Sequence, residues 1–259
     1  MNRPDPKENR VTRVGFLYPG YSAQDDYRAF AERLGEDVEL PVVHTLMRED
    51  AHRVDALLDV GGPDVLAEGA DELARMNVDA AVWACTSGSF VFGWDGARDQ
   101  VAGVRARAGV PASSTSFAFV HALRQLHVHD VAIAATYPDD VSAKFVEFLG
   151  AAGVNVVSLA SHGVPTAAEV GELDPDEVVD FVISHDHSSA RAVLVPDTAL
   201  HSAELVDALE ALLGKTVLTA NQVSVWEGLR LAGVTDTDKG PGSLFRSGTG
   251  LVDTALHTH

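Results

Sequence analysis

The chain has 259 residues, 38 acidic against 19 basic, and a formal net charge of −19. A chain this acidic lacks the clustered basic footprint that nucleic acid or an anionic membrane requires. Its single cysteine excludes an internal disulfide and any cysteine-based zinc cluster.

No apolar run approaches the roughly 18 residues of a membrane span. The first residues, MNRPDPKENR, are polar and carry no apolar signal-peptide core. The hydrophobic fraction of 46% is ordinary for a globular domain. These properties predict a cytoplasmic α/β protein.

Residues 1–10 read as a charged, flexible tail. Val11–Tyr18 and Val42–Thr45 are β-branched runs of the kind that form buried parallel strands. Asp64–Met76 has the 3–4 apolar spacing of an amphipathic helix. Ala80–Ala84 is a strand, and a further strand is expected near Val110–Ser113. Thr115–Leu126 is a helix, Val131–Ala135 a strand, Val141–Ala152 a helix and Asn155–Leu159 a strand. Pro175–Ser184 is a helix with proline at its first position. Ala192–Val195 and Thr216–Thr219 are strands, followed respectively by helices over Ser202–Leu213 and Ser224–Leu231. Strand and helix in repeated alternation predict a doubly wound parallel sheet, with ligands at the carboxyl ends of the strands. Thr235–Gly250, rich in Gly, Thr, Asp and Ser, is a loop packed on the fold or a tail.

A weak internal repeat runs through this pattern. VWACTSGSF at Val82–Phe90 corresponds to LVPDTALHS at Leu194–Ser202, so Asp197 stands where Cys85 stands. SSTSFAFVHALRQL at Ser113–Leu126 corresponds to TANQVSVWEGLRLA at Thr219–Ala232. The repeat is either coincidence or a duplicated α/β unit, whose strand-end loops would face one central site.

Cys85 ends an apolar strand and enters the turn Thr-Ser-Gly-Ser. That turn offers hydroxyls and successive backbone N–H groups, a site for a small carboxylate without Lys or Arg if a helix follows. The same field would lower the cysteine pKa. The alternative is a small buried apolar side chain.

On these residues the chain resembles the aspartate/glutamate racemase superfamily, in particular its maleate cis–trans isomerase and arylmalonate decarboxylase branch. The resemblance runs from about Val11 to Gly233. It is carried by VGFLYPG, CTSGSF, ATYPDDV, LVPDTAL and WEGLRLAG together. It implies two pseudosymmetric, doubly wound (Rossmann-like) parallel-sheet halves with the active site between them. Residues 11–120 with 215–240 would form the first half and 121–214 the second, with tails at 1–10 and 241–259. It further implies no cofactor, a small carboxylate substrate and a homodimer.

In the isomerases a first cysteine attacks the maleate double bond, and the adduct rotates before eliminating fumarate. In the decarboxylases a second cysteine protonates an enediolate. Cys85 matches the first cysteine. Thr86, Ser87, Tyr137 and the backbone N–H of Thr198 match carboxylate-binding positions. Tyr21, in the first strand-end loop, matches a residue covering the ligand, and His162, after Asn155–Leu159, a polar contact. The second cysteine is replaced by Asp197, which either serves as acid and base opposite Cys85 or caps a helix starting near Leu200. Isomerisation is thus the expected activity, with decarboxylation through Cys85 or non-catalytic carboxylate binding as alternatives.

The pairs His127/His129 and His185/His187 lack metal-ligand spacing, and His257 and His259 read as exposed, so no metal is expected. There is no GxGxxG or P-loop, and Ser87 lacks the G-x-S-x-G setting of a hydrolase.

Overall fold

The structure is a computed structural model and describes residues 10–250. The expected 1–10 tail and His257 and His259 therefore fall, except for Arg10, outside the described residues.

The chain starts with β1 (Thr12–Pro19), α1 (Asp25–Leu34), β2 (Val38–Glu39), β3 (Val42–Thr45), α2 (Val54–Val60) and α3 (Pro63–Arg75). It continues through β4 (Ala80–Trp83), α4 (Ser87–Phe90), α5 (Gly93–Ala108), β5 (Ala112–Ser114) and α6 (Thr115–Gln125). The second stretch holds β6 (Asp130–Ala135), α7 (Asp139–Ala151), β7 (Asn155–Ser161), α8 (Ala167–Gly171), α9 (Pro175–Ser184) and β8 (Ala192–Val195). It ends with α10 (Val206–Leu213), β9 (Thr216–Thr219), α11 (Ala220–Leu231) and α12 (Gly242–Arg246).

All strand pairs are parallel. One sheet has the order β2-β1-β4-β5, with β3 pairing β1 on the same side as β2. The other has the order β7-β6-β8-β9. The two orders correspond strand for strand, β3, β1, β4, β5 against β7, β6, β8, β9. Residues alternate across each sheet, as the two-residue pleat requires. Val14, Phe16, Tyr18, Val82 and Ala84 enter the central core, which also takes Val131, Ile133, Tyr137 and Leu194 from the second sheet. Leu17, Ala81, Trp83 and Cys85 face outward under α3 and α5, and Ala132, Ala134, Val193 and Val195 face outward under α9 and α10.

The segment 215–240 was expected to join the first half, and it divides. β9 hydrogen-bonds to β8 in the second sheet, while α11 packs across β1, β4 and β5 of the first. The crossing occurs at Thr219, where a capping box with Gln222 starts α11 four residues before the expected Ser224. A Cβ on Gly228 would meet Val14 Cγ1 at 2.2 Å, so this helix needs glycine there to lie on β1. α11 also packs along α6, with Thr115 Oγ1 and Ser224 Oγ 2.6 Å apart. The expected 241–259 tail is helical at α12, because Leu244 and Phe245 are buried against the central core. Among the described residues no helix is long and apolar enough to cross a membrane.

Candidate active site

Several strand ends meet where the two sheets face one another. β4 runs into Ala84, whose N–H donates to Leu17 O over 2.8 Å. Cys85 follows, buried, and α4 begins at Ser87. The Gly88 N–H donates to Cys85 Sγ over 3.3 Å, and Ser87 Oγ lies 3.8 Å from the same sulfur. The turn is held from outside by Gln100, whose Nε2 donates to Gly61 O at 2.9 Å and Gly88 O at 2.8 Å. Ser116 Oγ donates to Thr86 O over 2.9 Å. Thr86 Oγ1 is buried and without a hydrogen-bond partner, an orphan hydroxyl beside the thiol of the kind a ligand would satisfy.

Opposite, β8 runs through Pro196 into Asp197, which is also buried. Its Oδ1 accepts from Ala199 N–H over 2.9 Å, and its Oδ2 accepts from Thr136 Oγ1. The expected helix near Leu200 is absent. Residues 198–205 are irregular because Asp26 and Asn221 take up their backbone groups. Asp26 Oδ2 accepts from Ser202 N–H (2.9 Å) and Ala203 N–H (3.2 Å), while Asn221 Nδ2 donates to Thr198 O (3.2 Å) and Leu200 O (3.3 Å). Asp197 thus ties down a turn and caps no helix, while facing the centre of the molecule.

Two tyrosines close the floor. Tyr18, at the end of β1, donates to Thr198 O over 2.9 Å and accepts from Ala23 N–H at 3.0 Å. Tyr137, after β6, donates to Pro196 O over 2.8 Å. His52, in the loop between β3 and α2, packs edge-on against the Tyr137 ring at 5.0 Å and puts Nε2 3.9 Å from Asp197 Oδ2.

These groups feel one another. Burial pushes the Cys85 thiol up to about 11; Gly88 N–H and the Ser87 hydroxyl oppose that shift and the Asp197 charge adds to it. Burial raises Tyr18 and Tyr137 too, and the charges of Asp197 and Cys85 raise them further. The expected thiolate-favouring turn is therefore overridden. One N–H and one hydroxyl do not offset the loss of water around the sulfur, and α4 is a single turn.

The structure places Cys85, Thr86, Ser87, Tyr137, Asp197 and Thr198 in one buried region. Two other expected residues lie apart from it. Tyr21 is 73% exposed and stacks on His44 at 4.1 Å, outside the cluster. His162 packs on Phe181 and lines a cavity of about 320 Å³ with Thr136, Leu173, Val195 and Leu200, on the outer side of the second sheet. Sequence reasoning missed His52, Thr136 and Tyr18. His52 lay among eleven histidines in a segment with no periodicity; only the fold brings it to Asp197. Among the described residues no group of three His, Cys, Asp or Glu side chains could hold a metal ion.

The chain is 25% identical over 178 residues to arylmalonate decarboxylase of Bordetella bronchiseptica, covering 66% of this chain and 74% of that one. It is 26% identical over 167 residues to maleate isomerase of Geobacillus stearothermophilus, covering 62% of this chain and 66% of the relative. A Pseudomonas putida maleate isomerase solved with maleate superposes with a TM-score of 0.84 at 20% identity, over 92% of this chain and 98% of the other. Both kinds of enzyme share the fold described above. The sequence profile of the arylmalonate decarboxylase family matches residues 60–245, a span that includes Cys85, Tyr137 and Asp197, and the chain therefore belongs to that family.

Proposed function

We propose that the protein is a cofactor-independent isomerase of the maleate cis–trans type, acting on a small unsaturated carboxylate through Cys85. The observation that carries this is the placement of Cys85 and Asp197 after equivalent strands of the two sheets, in one buried cluster with Tyr137. Isomerisation needs no net proton, so one proton moving between the two side chains is enough.

The substrate carboxylate takes the Thr86 hydroxyl and the Ser87 turn. The Cys85 S–H bond breaks as its proton passes to Asp197, and a sulfur electron pair forms the S–C bond. The π pair of the double bond moves into the carboxylate as an enediolate, whose former double bond rotates freely. The enediolate then returns its pair, the S–C bond breaks to give the trans alkene, and Asp197 gives its proton back to sulfur. Placing the negative charge where N–H and O–H donors already point lowers the barrier by electrostatic preorganisation. A buried thiol with a raised pKa is a poor resting nucleophile, which makes the proton acceptor at Asp197 essential to the scheme.

The same raised pKa favours one alternative. A thiol that keeps its proton at neutral pH is suited to protonate an enediolate formed by loss of CO2, as in a decarboxylase. Incubation with maleate and with an arylmalonate in heavy water, followed by proton NMR, separates the two. Fumarate without deuterium at its vinyl carbons supports isomerisation; a deuterated arylacetate supports decarboxylation. Full turnover by Cys85→Ala excludes both.

A further inference from the structure

His52 belongs to the first half but is anchored on the second. Its backbone N–H donates to Pro165 O over 2.7 Å, and its Nδ1 lies 2.8 Å from Val164 O. A carbonyl oxygen only accepts, so Nδ1 carries the hydrogen and the tautomer is fixed. Nε2 is left facing Asp197 Oδ2 at 3.9 Å. Both side chains are about 4% exposed. A bare Nε2 lone pair opposite a carboxylate oxygen, in a site stripped of water, is repulsive. The arrangement is accommodated when the pair holds one proton, either on Nε2 facing a carboxylate or on Oδ2 facing a neutral imidazole.

We infer that His52 is a positioning residue which, through Asp197, fixes the proton content of the site opposite Cys85. This rests on the assignment of Asp197 as the acid–base group. The groups that face the pair are the Thr136 hydroxyl, which donates to Oδ2, and the Tyr137 ring. Cys85 and Tyr18 face it through the charge of Asp197. Asp50, on the same loop as His52, turns away and accepts from Ala167 N–H at 2.8 Å and Ala168 N–H at 2.9 Å. The imidazole facing Oδ2 gives the carboxylate a partner with which to share a proton while the thiol proton is in transit. The same loop contact ties that balance to the docking of the first half on the second.

The test uses ring nitrogen NMR of the full chain, with the His52 signals assigned by their loss in His52→Gln. The expected result is a hydrogen on Nδ1 and an Nε2 signal that moves in Asp197→Asn, because the carboxylate faces that nitrogen. Thr136→Val, which withdraws a donor from the carboxylate, moves the same Nε2 signal and serves if Asp197→Asn does not fold. A hydrogen on Nε2 with Nδ1 bare, or an Nε2 signal unmoved by either variant, overturns the inference.

Turnover supplies a second arm. His52→Gln keeps a donor near the Nε2 position and His52→Asn keeps one near Nδ1. The expected outcome is a kcat loss of about 100-fold in His52→Asn, with KM little changed and partial rescue in His52→Gln. Rescue by asparagine alone means that His52 only anchors the loop, and overturns the inference. The NMR arm needs no substrate, so it stands or falls separately from the isomerase assignment, which Cys85→Ala tests.

Discussion

Gly88 donates its N–H to Cys85 Sγ and leaves no space for a side chain beside it. A Cβ there would lie 3.0 Å from the sulfur and 3.1 Å from the Trp83 ring. The thiol is thus held from the turn side and packed from the strand side at once. Gly88→Ala must push one of these neighbours aside by a few tenths of an ångström. Such overpacking costs about 1–3 kcal/mol. The expected result is a moderate fall in melting temperature and a larger fall in kcat, measured side by side, because the displaced atom is the reacting one.

Burial pushes the Cys85 thiol up to about 11. Alkylation by iodoacetamide is therefore slow at pH 7 and rises with pH toward that value, and this is the profile to be measured. Removing the Asp197 charge in Asp197→Asn lowers the midpoint. The linkage has a definite sign: the folded chain holds the thiol proton more tightly than the unfolded one. Stability is unaffected by this group below the ordinary thiol value of 9.0 and declines from there as pH rises toward 11. Denaturant titrations between pH 8 and 11 on the wild type and Cys85→Ala read the difference.

Glu227, on α11, is fully buried and ties this helix to α6 through His121 at 2.8 Å, while Arg230 holds it at 2.7 Å. Burial alone would raise its carboxyl, but His121 and Arg230 outweigh burial and hold it well below the usual carboxylate range. Its contribution is complete above the ordinary value of 4.5 and is lost as pH falls below it, since the unfolded chain then takes up the proton first. Glu227→Gln should destabilise the fold by about 3–5 kcal/mol at neutral pH, because it breaks a buried ion pair. The same variant should flatten the acid limb of the stability curve, measured by urea unfolding at a series of pH values.

Tyr18 spans the two halves with one hydroxyl, from Ala23 N–H to Thr198 O. Tyr18→Phe leaves the buried Ala23 N–H unsatisfied and Thr198 O with only its bond from Asn221 Nδ2, at a cost of about 1–3 kcal/mol. It should also loosen the turn after Asp197 and so lower kcat. Tyr21→Ala, at an exposed side chain, should move stability by no more than about 0.5 kcal/mol. A calorimetric comparison of the two variants checks the contrast.

The central strands were legible because they are short apolar runs buried on both faces, and Ala192–Val195 and Thr216–Thr219 fall on the expected bounds. α1 and α5 were not expected. GWDGARDQVAGVRARA shows no marked apolar face, whereas DDYRAFAERL does put Tyr27, Phe30 and Leu34 on one buried face, a spacing that was legible. Cys85 and Asp197 were legible from strand-end position alone, whereas the Cys85 proton affinity was not, since burial is set by residues far along the chain. His52 reaches Asp197, 145 positions further along the chain, by virtue of the fold, and no local pattern announces it.

The chain passes between the sheets twice, once beyond α6 and once at Thr219, and the two helices at these crossings grip each other through Thr115–Ser224 and His121–Glu227. A molecule tethered in this way cannot gape like a hinged clam without tearing buried polar contacts. Admission and release of small molecules is therefore a matter for local segments. The natural segment is 46–53, whose grip on the opposite half rests on a few hydrogen bonds made by Asp50 and His52. The segment that would open to solvent is thus the one that carries the imidazole facing Asp197. Opening that stretch would also withdraw the imidazole from Asp197.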